Sequence, residues 1–215
     1  MTGSPSSTFA EATLSRWNQK SLEDFVPEGS RWASIRMWGA RAFAGHQLDS
    51  HEHHRRTRAG LAALNTTDIL DLLLSLPAGL PVPISSLSSR QQRMVKRLPA
   101  GVAEVKGGEI VRWAQNPVRI DLVVVPVRNW RVGLQVAGRY APFSARAMWL
   151  PELPGDQDDL FCDAERFGIG VLTGFAGRPE IVIPPAPYVR KRFTPSGWLF
   201  AEKLYEQVAS GERRQ

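Results

Sequence analysis

One apolar segment constrains the fold of this chain more than any other feature. The run VRIDLVVVPV, residues 118–127, is interrupted by charge only at Arg119 and Asp121. A near-continuous apolar run is typical of a strand buried on both faces, whereas a half-exposed strand alternates between apolar and polar residues. Two more β-prone runs, 144–151 and 169–175, lie on either side of a helical pattern. We therefore expect a small mixed β-sheet with helices on its faces.

Three further segments complete this half of the chain. RVGLQVAGRY, residues 131–140, is interpreted as the strand that follows the apolar run. DLFCDAERFG predicts a helix over 159–168, and EIVIPP predicts a strand over 180–185. The sequence TPSG, beginning at Thr194, predicts the start of a last amphipathic helix that ends near Ser210.

The first third of the chain is predicted to be helical. Thr8 and Glu11 have the spacing of a capping box before a first helix. Ser30 is interpreted as the cap of a second helix, because apolar residues recur at spacings of three and four over 32–42. A third helix is expected over 52–64.

A basic helix is predicted next. TDILDLLLSL indicates a leucine-rich helix that Thr66 or Thr67 can cap, and Ser88 or Ser89 can cap the segment SRQQRMVKRL. In that second segment several cations fall on one side and the apolar residues point away. The cations that share the face are Arg90, Arg93 and Arg97, with Lys96 beside them.

A hairpin follows the basic helix. GVAEV and EIVRW are β-prone runs joined by Lys106, Gly107 and Gly108, which predicts a glycine turn. Residues 66–115 therefore resemble a winged helix-turn-helix unit, in which the basic helix would enter the major groove of DNA and the hairpin would touch the backbone. The alternative is a solvated basic face on an ordinary helix beside an ordinary hairpin.

The segment from Val118 to Pro184 resembles the core of the PD-(D/E)XK nuclease-like superfamily, also called restriction-endonuclease-like. In that family an Asp ends one strand, and an adjacent strand carries an acid, any residue and a lysine. Asp121 matches the first metal-binding acid, but Gln135 stands in place of the second acid and Ala137 in place of the lysine. The resemblance therefore implies a nuclease-like fold without its chemistry, since Mg²⁺ prefers anionic oxygen ligands.

Two acids offer an alternative to this interpretation. Glu104 or Glu109 of the hairpin could supply the missing carboxylate, which would make the protein a Mg²⁺-dependent nuclease with relocated ligands. Asp121 could equally accept backbone hydrogen bonds or pair with Arg119 or Arg139.

Three other groups of residues are candidate sites. His51 and His54 share a helical face and could ligate a metal, although the arginines that follow them favour a solvated helix start. Cys162 is surrounded by acids, which suppress a thiolate, so we expect it to be structural. The segment PYVRKRF suits both phosphate contact and ordinary surface packing. Its cations are Arg190, Lys191 and Arg192.

Charge and composition favour a polyanionic partner. The formal net charge is +6 and the isoelectric point is about 10.0, which favours nucleic acid. We find neither a secretion signal nor a membrane span in the sequence, and we expect a cytoplasmic protein without a cofactor. The predicted domains are a helical region, a winged-helix-like unit and a nuclease-like α/β domain with the C-terminal helix, over residues 1–65, 66–115 and 116–215.

The leading hypothesis from the sequence is a regulatory DNA-binding protein, such as a transcriptional regulator or an antitoxin-like protein, with a catalytically inactive nuclease-like domain. The alternatives are the Mg²⁺-dependent nuclease and a protein-interaction subunit whose tryptophans and last helix bind a protein partner. The sequence leaves the oligomeric state open.

Overall fold

The computed structural model describes residues 25–174 and 179–212 of the chain. In these residues helices and strands are mixed, which confirms the predicted α+β class. The predicted helix that begins near Thr8 lies outside the described residues. The strands and helices, numbered in chain order, are β1 (Arg31–Met37), β2 (Ala40–Leu48), α1 (Ser50–Ala59), α2 (Thr67–Ser75), β3 (Pro81–Pro83), α3 (Ser89–Val95), β4 (Ala103–Lys106), β5 (Glu109–Arg112), β6 (Val118–Pro126), α4 (Trp130–Gly138), β7 (Ala145–Leu150), α5 (Asp158–Phe167), β8 (Gly170–Thr173), β9 (Glu180–Ile183) and α6 (Pro195–Glu212).

The chain divides into two compact units that differ from the predicted domains. The region 1–65, predicted to be helical, contributes residues to both units, and the C-terminal helix α6 belongs with the basic helix rather than with the large sheet. Unit 1 comprises the described residues up to Gln47 together with Ile120–Arg190, and unit 2 comprises Leu48–Arg119 with the described residues from Lys191 onward.

Unit 1 is built on a six-stranded sheet with the order β1-β2-β6-β7-β8-β9. Strands β6, β7 and β8 are parallel, and each is connected to the next through a helix, α4 or α5. Strand β9 returns antiparallel to β8. The predicted apolar run is confirmed as β6, and Leu122, Val124 and Trp149 are fully buried in the core beside it.

The segment 31–48 is a β-hairpin, so the helix predicted after Ser30 is wrong. Its strands pair antiparallel with Met37 opposite Ala40, which leaves a turn of two residues. The turn residues, Trp38 and Gly39, have φ angles of 51° and 78°, as a type I′ turn requires. The Trp38 ring packs 5.7 Å from that of Phe143, a contact that offsets the strain of a non-glycine residue in this conformation.

The segment 131–140 is also different from the prediction, because it forms helix α4 instead of a strand. The Asn129 side chain caps this helix by accepting hydrogen bonds from the backbone N–H groups of Arg131 and Val132. A helix satisfies the apolar pattern because the buried side chains recur at spacings of three and four. These residues are Gly133, Val136, Ala137 and Tyr140.

Unit 2 contains helices α1, α2, α3 and α6 and a three-stranded sheet with the order β3-β5-β4. Helix α2 is buried on two sides, as its leucines predict. Leu70 and Leu73 pack in one core cluster with Trp198, and Leu72 packs in a second with Val95. Helix α3 is therefore anchored to α2 through its apolar side.

A buried ion network holds α1 and α6 together in unit 2. The Arg56 guanidinium is fully buried and contacts Glu202 through Nη1 at 2.7 Å and Nη2 at 2.8 Å. Its Nε donates to Glu52 at 2.6 Å. Burial raises the pKa of Glu52, but hydrogen bonds from Arg55 and Arg56 outweigh it and leave the pKa below the ordinary value.

Helix α1 begins and ends at recognisable caps. Asp49 accepts a hydrogen bond from the Glu52 N–H at 2.9 Å, and Gly60 ends the helix in the left-handed conformation. The helix is shorter than the predicted 52–64 and starts two residues earlier. In the described part of the chain, no helix is both long enough and apolar enough to cross a membrane.

Candidate nucleic-acid interface

Helix α3 carries the predicted basic residues and has the predicted cap. The Ser88 Oγ accepts from the Gln91 N–H at 3.3 Å, and the Gln91 side chain accepts from the Ser88 N–H at 3.0 Å. This capping box confirms Ser88 as the start. The helix ends at Val95 with Lys96 as its C-cap, so Arg97 lies in the turn that follows and not on the helix itself.

The cations of this segment are exposed, and most have no acidic partner. Arg90 pairs with Asp68 at 2.9 Å, and both side chains are largely exposed, so solvent screens the pair. Arg93, Lys96 and Arg97 are exposed and make no ion pair with any described residue. Three cations within five residues therefore lack an acidic partner in the described structure.

The hairpin that follows is formed by β4 and β5, as predicted. Lys106 lies opposite Glu109, and the two-residue turn between them has φ angles of 61° at Gly107 and 80° at Gly108. Both turn positions favour glycine because they are left-handed. Lys106 is exposed at the tip of the hairpin, where a polyanion could contact it.

The other predicted basic group spans the boundary of the two units. Arg190 ends unit 1, and Lys191 and Arg192 begin the second segment of unit 2. Lys191 and Arg192 are exposed in an irregular segment before α6. Next to it, Tyr188 donates a hydrogen bond to the Pro142 carbonyl at 2.7 Å, so this aromatic residue has a packing role within unit 1.

The histidines of α1 lie beside arginines. His51 and His54 line a shallow depression of about 630 Å³ together with Arg55 and Arg58. This surface is cationic, which disfavours a bound metal ion. Residues 25–174 and 179–212 contain no group of three His, Cys, Asp or Glu side chains placed to hold one.

The structure does not bring the predicted nuclease residues together. Asp121 is half-buried in β6 and accepts a hydrogen bond from the Ser30 hydroxyl at 3.4 Å. The strands beside β6 are β2 and β7. Gln135 is exposed on helix α4, and Ala137 is buried on the same helix. Neither residue lies on a strand next to Asp121, which corrects the predicted positions of the second acid and the lysine.

The two acids proposed as substitutes lie in the other unit. Glu104 and Glu109 are exposed on the hairpin of unit 2, whereas Asp121 belongs to unit 1. On the hairpin, Glu109 is opposite Lys106 and Glu104 is opposite Val111. The local structure of each acid is therefore that of a solvated strand residue.

Sequence reasoning missed two features of unit 2. One is the buried network of Glu52, Arg56 and Glu202, for which the only local signal is the i, i+4 spacing of Glu52 and Arg56. The other is Arg112, whose guanidinium lies 5.7 Å from the centre of the Trp198 ring. Arg112 is on β5 and Trp198 is on α6, so only the tertiary fold brings them into contact. The spacing of these residues in the sequence does not predict it.

Comparisons of the chain with protein-family models, with curated proteins and with solved structures found no match.

Proposed function

We propose that the protein binds double-stranded DNA through unit 2, with α3 and the turn after it facing the major groove and the β4–β5 hairpin touching the backbone. The residues that would contact DNA are Arg90, Arg93, Lys96, Arg97 and Lys106, and Lys191 and Arg192, which also belong to unit 2, would extend the contact.

The observation that carries this proposal is the cluster of uncompensated cations after Ser88. Arg93, Lys96 and Arg97 are exposed, have no ion pair among the described residues, and follow one another within five positions. Bringing such cations to phosphates releases counterions, which is the main source of affinity for DNA. Solubility alone favours a surface on which positive and negative charges are interspersed, rather than one that concentrates positive charge in a single turn.

The order of elements supports the same proposal. Helix α2, the short strand β3, a 3₁₀ turn at Ile84–Ser86, helix α3 and the β4–β5 hairpin follow one another. This is the order of a winged helix-turn-helix, with the 3₁₀ turn in place of the middle helix. Strand β3 pairs with β5 and closes a three-stranded sheet. The apolar side of α3 packs in the core through Val95, which leaves its basic side outward.

In this proposal unit 1 is a nuclease-like domain that does not cut DNA. Its mixed sheet with connecting helices supports the comparison at the level of architecture only. The helical positions of Gln135 and Ala137 favour a domain without the acid-x-lysine strand. Such an arrangement fits a regulator, in which one unit binds DNA and the other holds a partner, as in transcriptional regulators and antitoxin-like proteins.

The experiment is a titration of a fluorescent DNA duplex with the full chain at several salt concentrations. We expect the logarithm of the binding constant to fall steeply with the logarithm of salt concentration. Replacing both Arg93 and Arg97 by Ala should weaken binding by about tenfold or more and reduce the slope by about two units, one for each lost phosphate contact.

The matched control is the double variant Arg131→Ala and Arg166→Ala. Both arginines are exposed on helices of unit 1, and their removal lowers the net charge by the same amount. Equal weakening in the two double variants would show that bulk charge, and not the segment after Ser88, binds DNA. Binding that is insensitive to salt would contradict the proposal altogether.

A second measurement addresses the nuclease alternative. Plasmid DNA incubated with the protein and Mg²⁺ or Mn²⁺ should remain intact, because no acid-x-lysine strand lies beside Asp121. Cutting that the variant Asp121→Ala abolishes would establish the alternative. Binding to a protein partner without binding to DNA at about physiological salt would favour the interaction-subunit hypothesis.

A further inference from the structure

A pocket of about 640 Å³ opens within unit 2, and none of its described lining residues belongs to α3 or to the turn after it. Its apolar wall is formed by Leu74, Leu76, Phe193 and Trp198. This volume falls in the range of natural small-molecule sites, which are mostly apolar with a few polar groups that fix orientation. The pocket can therefore accommodate a compound larger than a single water or ion.

One cation defines the chemistry of the pocket. Arg112 lines it, its Nη1 donates to the Leu73 carbonyl at 2.7 Å, and its Nε has no hydrogen-bond partner among the described residues. No described carboxylate pairs with it, and none of the described lining residues is acidic. A half-buried guanidinium without a counter-charge is costly, because burial disfavours its charged form. Burial indeed lowers the pKa of Arg112.

The aromatic side of the pocket is preorganised. The Trp198 Nε1 donates to Glu202 at 2.8 Å, and Glu202 is held by Arg56, so the indole ring is fixed. The Arg112 guanidinium lies over that ring. Trp198 is only 3% exposed, whereas Phe193 is 63% exposed, so Phe193 supplies most of the accessible aromatic surface of the pocket. A planar ligand could pack against Phe193 while its anionic group faces Arg112.

We propose that this pocket binds a small aromatic carboxylate, with the carboxylate paired to Arg112 and the ring packed against Phe193 and the apolar wall. The side chains of Gln115 and Asn116 also line the pocket and can supply hydrogen bonds to the ligand. One residue of the pocket wall is hydrogen-bonded to α3, since the Ser75 hydroxyl accepts from the Gln91 Nε2 at 3.0 Å. The site itself does not depend on the proposed DNA binding.

The test uses calorimetric titration of the full chain with benzoate and naphthoate, and with their neutral alcohols benzyl alcohol and naphthylmethanol. We expect the carboxylates to bind with dissociation constants at or below about 1 mM, and at least about tenfold more tightly than the alcohols. Replacing Arg112 by Met keeps most of the side-chain volume, and should remove that preference. Arg58→Met is an exposed substitution on α1 with the same charge change, and it should leave the affinities for the carboxylates and for the alcohols unchanged.

Phe193→Ala provides a second variant that does not threaten the core, because the side chain is mostly exposed. This substitution should weaken the binding of naphthoate more than that of benzoate, since the larger ring covers more of the apolar wall. The proposal is overturned if neither carboxylate binds up to about 5 mM, if the alcohols bind as tightly, or if Phe193→Ala has no effect on naphthoate.

Discussion

Arg56 and Glu202 form a two-point ion pair that joins helix α1 to helix α6 across 146 positions of sequence, at 2.7 and 2.8 Å. Both side chains are fully buried. Glu202 also accepts from the Leu64 N–H at 2.9 Å and from the Trp198 Nε1 at 2.8 Å. One carboxylate thus satisfies donors from three parts of unit 2.

Breaking this pair should destabilise unit 2 strongly. Arg56→Met leaves Glu52 and Glu202 buried without their shared cation, and removing one partner of a buried pair costs about 3–5 kcal/mol. The midpoint of urea unfolding, followed by circular dichroism, should fall accordingly. The exposed neighbour Arg58 offers a control, since Arg58→Met should change stability by less than about 0.5 kcal/mol. Equal effects of the two substitutions would contradict a structural role for the pair.

Glu52 should make stability depend on pH in the acid range. Its pKa is lowered in the folded protein, so the unfolded chain binds a proton first as the pH falls. The stabilisation is complete above the ordinary value of 4.5 and is lost as the pH falls from there towards the lower folded value. Glu52→Gln should flatten the dependence of the urea midpoint on pH in this window. A variant as sensitive to acid as the original protein would show that other carboxyl groups dominate.

The parts of the fold that the sequence predicted correctly are those with a strong local signal. The run at β6 has few polar interruptions, the turn at Gly107 and Gly108 needs positive φ angles, and Ser88 is one of the two serines predicted to cap the basic helix. In each case the local chemistry favours the structure that tertiary packing also favours.

Two of the wrong predictions have a common physical cause. Segments 32–42 and 131–140 both contain apolar residues at spacings that fit a helix as well as a strand. The length of each segment is also compatible with either structure. The deciding signals were single residues. Gly39 closes a two-residue hairpin turn, and Asn129 caps a helix. The predicted position of Gln135 was wrong for the same reason. The nuclease motif requires a strand at this residue, but the segment forms helix α4.

Two glycines of α4 should respond in opposite ways to the same substitution. A Cβ at Gly133 would lie 2.6 Å from the Met148 Sδ and 2.9 Å from a Val127 methyl, whereas a Cβ at Gly138 meets no atom within 4 Å. Gly133→Ala should therefore destabilise by about 1–3 kcal/mol through overpacking. Gly138→Ala should stabilise by up to about 1 kcal/mol, because alanine favours the helix. Thermal unfolding measures both, and stabilisation by both would mean that α4 does not pack against Met148.

The ion pair between Asp68 and Arg90 should weaken DNA binding, if the proposed interface is correct. The two side chains meet at 2.9 Å and are 56% and 71% exposed, so the pair contributes little to stability. Asp68→Asn would release Arg90 to phosphate and should strengthen binding to duplex DNA several-fold at low salt. Asp71 is exposed on the same helix and makes no ion pair with a described residue. Asp71→Asn adds the same charge without releasing Arg90, so it should strengthen binding less. If both variants bind DNA equally well, the gain comes from net charge, and Arg90 does not contact DNA.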